Sequence, residues 1–497
     1  MTTNSHAPAA SGFRGNDRIL FGIIFGLLSF WLFAMTVLNV KGQINRDLGL
    51  DEAQLNLSIS ITSLVSGLFI VVLGGLADRF GRVRLINWGF WLGFAGSLFI
   101  ALTPAQSALS GPVLILGRIF QGLGGACIMP ASLALLNVYW EGKGRQRAVS
   151  LWSMGTWGGT SFAALVGGFV ADSLGWRAIF LMAAFFNALG YFLVKGTPES
   201  KTGATSKERF DYTGFILFMV FIVAIQLYVN FGTQWGWLSP LSLVMVAVSI
   251  VSFVFFLGAE RKSRDPFIDL GLFRNSIFTG ATISNFLLNA TAGVIVVALS
   301  VLQEGGGKSA EVAGYLTVGY GVTILLFIRV GEKLLQKYGA RKPMLWGIVI
   351  LVVSVLLLMQ TQRMTSTYMW LMLFAFVFFG MGLAFYATPS TDAALTNLPV
   401  EQSGSGSGIY KMASSLGAAT GLAVSQAIYA SIKGTTTLPE FLNYVFTFVG
   451  RQDNLAFRHA AIYAMLFNLI ILVLAFITIL FTVPDKKPSR SASVTEK

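Results

Sequence analysis

The chain has 497 residues, of which 55% are hydrophobic and only 11% charged, and its mean hydropathy is +0.70. Soluble domains carry about 25% charged residues, so a water-soluble fold is excluded, and so is a disordered chain, which needs low hydrophobicity. Apolar runs of ~20 residues recur along its whole length, and the net charge of +13 sits between them, which marks a polytopic membrane protein.

In chain order, residues 1–18 are small and polar and read as a cytoplasmic tail. The first apolar run, 19–40, is too long for a signal-peptide core and lacks a small-x-small cleavage site, so it reads as a retained helix. Further spans are predicted at 56–76, 85–103, 112–138, 148–171, 177–194, 213–231 and 239–258. After the charged stretch 260–275 come 276–302, 311–330, 343–360, 367–389, 404–432 and 459–483. This predicts an all-α protein of 14 transmembrane helices. It would consist of an N-terminal six-helix bundle (19–194), linkers and two inserted helices (195–275), a C-terminal six-helix bundle (276–483) and a tail (484–497). The segment 434–459, with Phe441, Tyr444, Phe446 and Phe448, reads as an amphipathic helix on the outer membrane surface.

The basic residues set the orientation. On the side of the N-terminus lie 25 Lys and Arg, against 8 on the other side, and two more (Arg118 and Lys411) fall inside spans. Both termini are therefore expected in the cytoplasm, with the protein in the cell membrane. No basic stripe interleaved with aromatics occurs in a polar region, so no nucleic-acid partner is expected. One cysteine (Cys127) and two histidines (His6 and His459) leave no disulfide framework, metal site or cofactor to expect. Without a Gly-Lys-Ser/Thr ending there is no phosphate-cradling loop, and no intramembrane acid–His set supports an enzyme.

The loop after the second span reads Gly74-Gly75-Leu76-Ala77-Asp78-Arg79-Phe80-Gly81-Arg82-Val83-Arg84. A weaker copy, Gly331-Glu332-Lys333-Leu334-Leu335-Gln336-Lys337-Tyr338-Gly339-Ala340-Arg341-Lys342, follows the tenth span, with Gly81 and Gly339 258 residues apart. Duplicated halves around a central site are the architecture of many secondary transporters. Positive residues orient the loop, but Asp78 has no orienting purpose and reads as a contact group. A solvated turn is the competing reading. Arg118, about two turns inside its span, costs roughly 2.5–3.5 kcal/mol on insertion scales and so calls for a use or a snorkelling path. Gln121, three residues on, shares its face. Asn285 and Asn289 also share a face and serve either a cavity or an interhelical hydrogen bond. Trp31, Asn39, Trp152, Trp157, Tyr386 and Tyr410 are candidates for a substrate cavity, with Ser60 and Ser63 beside them.

On these motifs the chain resembles the major facilitator superfamily. The first loop matches that family's G-x-L-a-D-R-x-G-R signature, and Arg118-Ile119-Phe120-Gln121-Gly122 matches its R-x-x-Q-G motif. Gly159, Gly167 and Gly168 match its glycine-rich antiporter motif. Fourteen spans are similar to the drug:proton antiporter branch. The segments 386–392 and 408–414 are similar to NorB-type quinolone exporters. The resemblance implies a major facilitator fold and transport by alternating access. It implies a cytoplasmic latch at Asp78, Arg79, Gly81 and Arg82, while Arg118 with Gln121 is expected either to control a nearby proton site or to anchor substrate.

Three departures stand out. Many members of the branch carry an aspartate in helix one, two residues before a Thr, where this chain has Ala34 before Thr36. The usual Gly-Pro of span five is Ala163-Ala164, which weakens the expectation of a sharp bend, and Lys411 stands where some relatives carry an acid. Asp392 and Lys411 are expected to form a charge pair that takes over proton coupling. With few acids inside spans, the expected substrates are neutral or zwitterionic amphipathic aromatic compounds, fluoroquinolones included. They would be exported at the expense of the proton gradient, and the only other partners expected are protons and the lipid bilayer. Proton-coupled uptake of a metabolite or vitamin is the alternative, and a membrane enzyme acting on lipid a weaker one.

Overall fold

The computed structural model describes residues 13–50, 52–200, 211–263, 266–308, 310–396, 398, 402–432 and 454–485. Regular structure among them is helical. The helices are α1 (17–48), α2 (Glu52–Phe80), α3 (Arg82–Ala101), α4 (Ser110–Tyr139), α5 (142–174), α6 (Trp176–Val194) and α7 (Tyr212–Trp235). They continue with α8 (Pro240–Lys262), α9 (276–305), α10 (Ala310–Tyr338), α11 (Arg341–Leu358), α12 (Thr365–Thr396), α13 (Ser403–Ile432) and α14 (Leu455–Thr482). The expected surface helix at 434–459 falls mostly outside the described residues. Its last residues belong to α14, because Arg458 is buried and donates to the carbonyls of Thr361 and Arg363 rather than facing solvent.

Among the described residues, 11 helices are long and apolar enough to cross a membrane: α2–α4, α6–α12 and α14. Helix starts follow from their sequence. Asn16 caps α1 by accepting from the Ile19 N–H at 3.0 Å, and Asn275 caps α9 through Ile277 and Phe278. α8 opens with Ser239 as cap and Pro240 in its first turn. α7 and α8 turn Ile216, Val244, Ile250, Val254 and Phe255 outward, as lipid-facing helices do.

Two helices are interrupted. In α1 a wide turn at Ser29–Phe33 and a tight one at Ala34–Thr36 divide the helix, and in α5 a wide turn occupies Met154–Gly158. The two wide turns pack on each other. The helix from Gly159 to Leu174 runs unbroken through Ala163 and Ala164, so the irregularity in α5 lies one to two turns before the position where relatives carry Gly-Pro.

The 258-residue repeat is structural as well as textual. α4 packs on α2 and α3, and α12 packs on α10 and α11; α6 packs on α1 and α3, and α14 on α9 and α11. The backbones of α3 and α4 meet at Gly89 and Gly124, where a Cβ on either would lie 2.9 Å from the other's carbonyl oxygen. α11 and α12 meet in the same way at Gly347 and Gly382, with 2.6 and 2.7 Å, each 258 residues on. Small residues allow this approach where lipid supplies no hydrophobic drive. One buried core, around Val294, Leu351, Phe376 and Leu472, lies wholly in the second half.

Candidate functional site

The first candidate lies at the junction of α2 and α3. The chain reverses at Gly81, whose φ of +117° is open only to glycine. In the last turn of α2, Asp78 Oδ1 accepts from Arg82 Nε at 3.0 Å and Nη2 at 2.7 Å. Its Oδ2 accepts from the backbone N–H of Ser405 at 3.1 Å. Ser405 is in the first turn of α13, where N–H groups have no intrahelical acceptor and the helix end is electropositive. A buried carboxylate of the first half thus holds the start of a helix in the second. Arg79 is exposed beside it.

The linker after α6 completes this junction. Arg82 donates through Nη1 to Ser200 Oγ and through its backbone N–H to Ser200 O, both at 3.0 Å. The Glu199 carboxylate accepts the N–H groups of Val83 and Arg84, each at 2.9 Å, and so caps α3. Sequence reading treats 195–200 as linker, and no local signal marks Glu199 as a cap because it comes 116 residues after Val83.

A second crossing joins α5 to α12. Arg145 Nη2 lies 3.4 Å from Asp392 Oδ1 and 2.9 Å from Thr396 Oγ1. This corrects the expected Asp392–Lys411 pair. Asp392 is one turn from the end of α12, whereas Lys411 is about 12 Å inside α13 at 1.5 Å per residue, so the two stand at different depths.

Lys411 instead faces two indoles of the first half. Its Nζ is 4.6 Å from the ring centroid of Trp152 in α5 and 6.0 Å from that of Trp31 in the wide turn of α1. Trp152 is buried and donates through Nε1 to Ser132 Oγ at 2.9 Å. Trp31 Nε1 is buried without an acceptor. Trp157 lies in the wide turn of α5 and packs on the core of the second half.

Arg118 is 1% exposed and serves four acceptors. Nε donates to Ser58 O at 2.8 Å, Nη1 to Ala34 O at 2.6 Å and Gln121 Oε1 at 2.9 Å, and Nη2 to Ile59 O at 3.4 Å. Gln121 passes the chain on to Ser97 Oγ at 3.1 Å. Snorkelling is thereby excluded. Where relatives of the antiporter branch place an aspartate, the backbone carbonyl of Ala34 meets the guanidinium.

The remaining cavity candidates divide. Asn285 in α9 donates to Tyr410 O at 2.9 Å and Ser414 Oγ at 2.6 Å in α13, and Asn289 donates to Asn285 Oδ1 at 2.9 Å. The pair is therefore an interhelical tie. Tyr386 shares its hydroxyl with Ser284 and Ser390, and Tyr410 with Ser390 and Thr391. These rings are buried inside the second half, with their polar atoms satisfied there. Asn39 lies in α1, and its side chain is outside the described part of the structure.

This arrangement has counterparts among known proteins. Residues 19–273 and 281–497 match the family model of the Major Facilitator Superfamily. The chain belongs to that superfamily. It is 42% identical over 431 residues to the quinolone resistance protein NorB of Staphylococcus aureus strain MRSA252, and equally to that of strain Newman. Each match covers 87% of this chain and 92% of the relative. Among solved structures, the human organic anion transporter MFSD10 aligns with a TM-score of 0.63 at 13% identity, over 93% of this chain and 99% of that one. The proton:xylose symporter XylE, bound to 6-bromo-6-deoxy-D-glucose, aligns with a TM-score of 0.62 at 16% identity, over 95% and 96%. These likenesses establish the fold.

As a major facilitator protein the chain is a multi-pass membrane transporter of small molecules and not an enzyme. Its two halves repeat one further contact that sequence reading missed. Arg177, at the start of α6, donates to Thr103 O at 2.9 Å, and Arg458, near the start of α14, donates to Thr361 O at 2.6 Å. The threonines are again 258 residues apart, but the arginines are 281 apart, because residues 433–454 separate α13 from α14 where Gly175 alone separates α5 from α6. An unequal spacing hides the equivalence from a search for a fixed period.

Proposed function

We propose that this protein exports amphipathic aromatic compounds of the quinolone type from the cytoplasm, driven by the proton gradient. The reading of α1, α5 and α13 as spans beside the 11 apolar helices makes fourteen, with both termini in the cytoplasm of a cell whose surface membrane holds the protein. Two six-helix halves then rock about a midplane site while α7 and α8 ride between them.

The observation that carries this reading is the contact of Asp78 with the N-terminus of α13. It joins the halves by a polar bond at the α2–α3 junction, and an alternating-access transporter must break such a bond to open that side. The 42% identity to NorB supports the substrate class. Asp392 is the proton-exchanging group in this reading. It is a buried carboxylate paired across the halves with Arg145, so its protonation releases the second cytoplasmic contact. No cofactor takes part, and protons and lipid are the only partners besides the substrate.

Inside-out vesicles loaded with a panel of fluorescent compounds, with and without an imposed pH gradient, test this. Uptake that follows the gradient is expected. ATP-driven uptake that persists after the gradient is collapsed overturns it, and gradient-driven movement in the opposite sense makes the protein an uptake symporter.

A further inference from the structure

Lys411 is the single lysine among the described residues that lies deep within a helix crossing between the two halves, and it is 6% exposed. Among the described residues no carboxylate is paired with it. Its ammonium rests over the Trp152 face, 4.6 Å from the centroid, and Trp31 lies at 6.0 Å. A ring face partly offsets the desolvation of a cation but leaves its N–H groups without acceptors. Trp31 Nε1, on the ring whose centroid lies 6.0 Å from the ammonium, is a buried donor with no acceptor. A buried donor without a partner costs about 1–3 kcal/mol, and an unpartnered indole N–H on a ring beside a cation that no carboxylate pairs with leaves a place for an anionic acceptor.

The location suits a substrate. Trp31 stands in the wide turn of α1, Trp152 one residue pair before the wide turn of α5, and Lys411 on α13. The ammonium comes from the second half and both indoles from the first, so the group is assembled at the seam about which the halves move.

We propose that Lys411 and the Trp31 indole N–H together bind the carboxylate of an aromatic acid, with the Trp31 and Trp152 rings as the walls against which its planar ring system lies. The proposal rests on the export of aromatic compounds inferred above and narrows it to those bearing a carboxylate, zwitterions included. An ammonium–carboxylate bond is charge-assisted, and the indole N–H adds a second donor at a fixed angle. Discrimination against a neutral analogue follows, because that analogue leaves the ammonium buried and unsatisfied.

The test compares a fluoroquinolone with its methyl ester, which keeps the ring and removes the anion. Equilibrium binding to purified protein and gradient-driven uptake into inside-out vesicles are measured for wild type, Lys411→Met, Lys411→Arg and Trp31→Phe. Lys411→Met is expected to weaken binding of the acid roughly tenfold or more while the ester changes less than about twofold. Lys411→Arg should restore most of the acid's affinity, and Trp31→Phe, which keeps a ring but loses the N–H, should weaken the acid alone. Ester binding reports that each variant is folded. If Lys411→Met fails to insert, Trp31→Phe decides on its own. Equal losses for acid and ester, or no loss for either, overturn the carboxylate site while leaving the export reading intact. A wild type that neither binds nor moves acid or ester overturns the export reading and this one with it.

Discussion

Asp78 Oδ2 and the backbone N–H of Ser405 are 3.1 Å apart across 327 residues of chain, and they join the end of α2 to the start of α13. The same carboxylate is held by Arg82 from behind. One oxygen therefore orients the group, and the other bridges the halves. This division of labour explains why the signature loop needs an acid beside so many cations.

Asp78→Asn should leave the protein in the membrane and reduce transport to roughly a tenth, since a charge-assisted bond of about 1.5–3 kcal/mol becomes a neutral one. Asn keeps the size of the side chain, so insertion is a fair control. Vesicle transport at matched protein levels is the measurement, and a wild-type rate would reduce the loop to an orientation signal.

Arg145 and Asp392 should behave as a coupled pair across the halves. Arg145→Ala and Asp392→Asn are each expected to shift the protein toward the form open on the side of this contact. The double mutant should fall short of the sum by about 0.5–3 kcal/mol. Spin-label distances between the start of α5 and the end of α12, beside Arg145 and Asp392, read the shift. Because Asn is a permanently neutral stand-in for a protonated carboxyl, Asp392→Asn should also flatten the dependence of transport on the pH gradient. An unchanged gradient dependence would place the proton on another group.

Arg118→Lys should destabilise the protein although the charge is kept. An ammonium cannot reach the Ser58, Ala34 and Ile59 carbonyls and Gln121 at once, so part of the fork's hydrogen bonding is lost in a buried site. A cost of about 3 kcal/mol is expected, read as a lower thermal midpoint in detergent. An unchanged midpoint would mean that charge alone, not the planar fork, holds α1 against α2 and α4.

Glu199→Ala should uncap α3. The N–H groups of Val83 and Arg84 lose their acceptor, which costs about 0.5–2 kcal/mol for a helix N-terminus. Faster amide exchange over residues 82–85, with the rest of α3 unchanged, is the expected signature. Uniform exchange along the helix would show that the linker contributes nothing locally.

The sequence by itself determined that the protein is a helical membrane transporter of duplicated halves. It also located Asp78, Arg82, Arg118 and Gln121. Hydropathy over ~20 residues and glycine at a fixed period are local properties, and each of those four residues has its first partner within its own motif: Arg82 four residues from Asp78, and Gln121 three from Arg118. The tertiary structure alone decided what the motifs touch. Ser405, Glu199 and Arg145 come from other helices or a linker, and nothing in their neighbourhood marks them. Asp392 and Lys411 show the limit most clearly. A linear reading places both in neighbouring spans near the same end, but helix rotation and depth put Arg145 beside the one and two indoles beside the other. Rotation and depth follow from how whole helices pack, which is a sum over many small contacts that no single residue pattern contains.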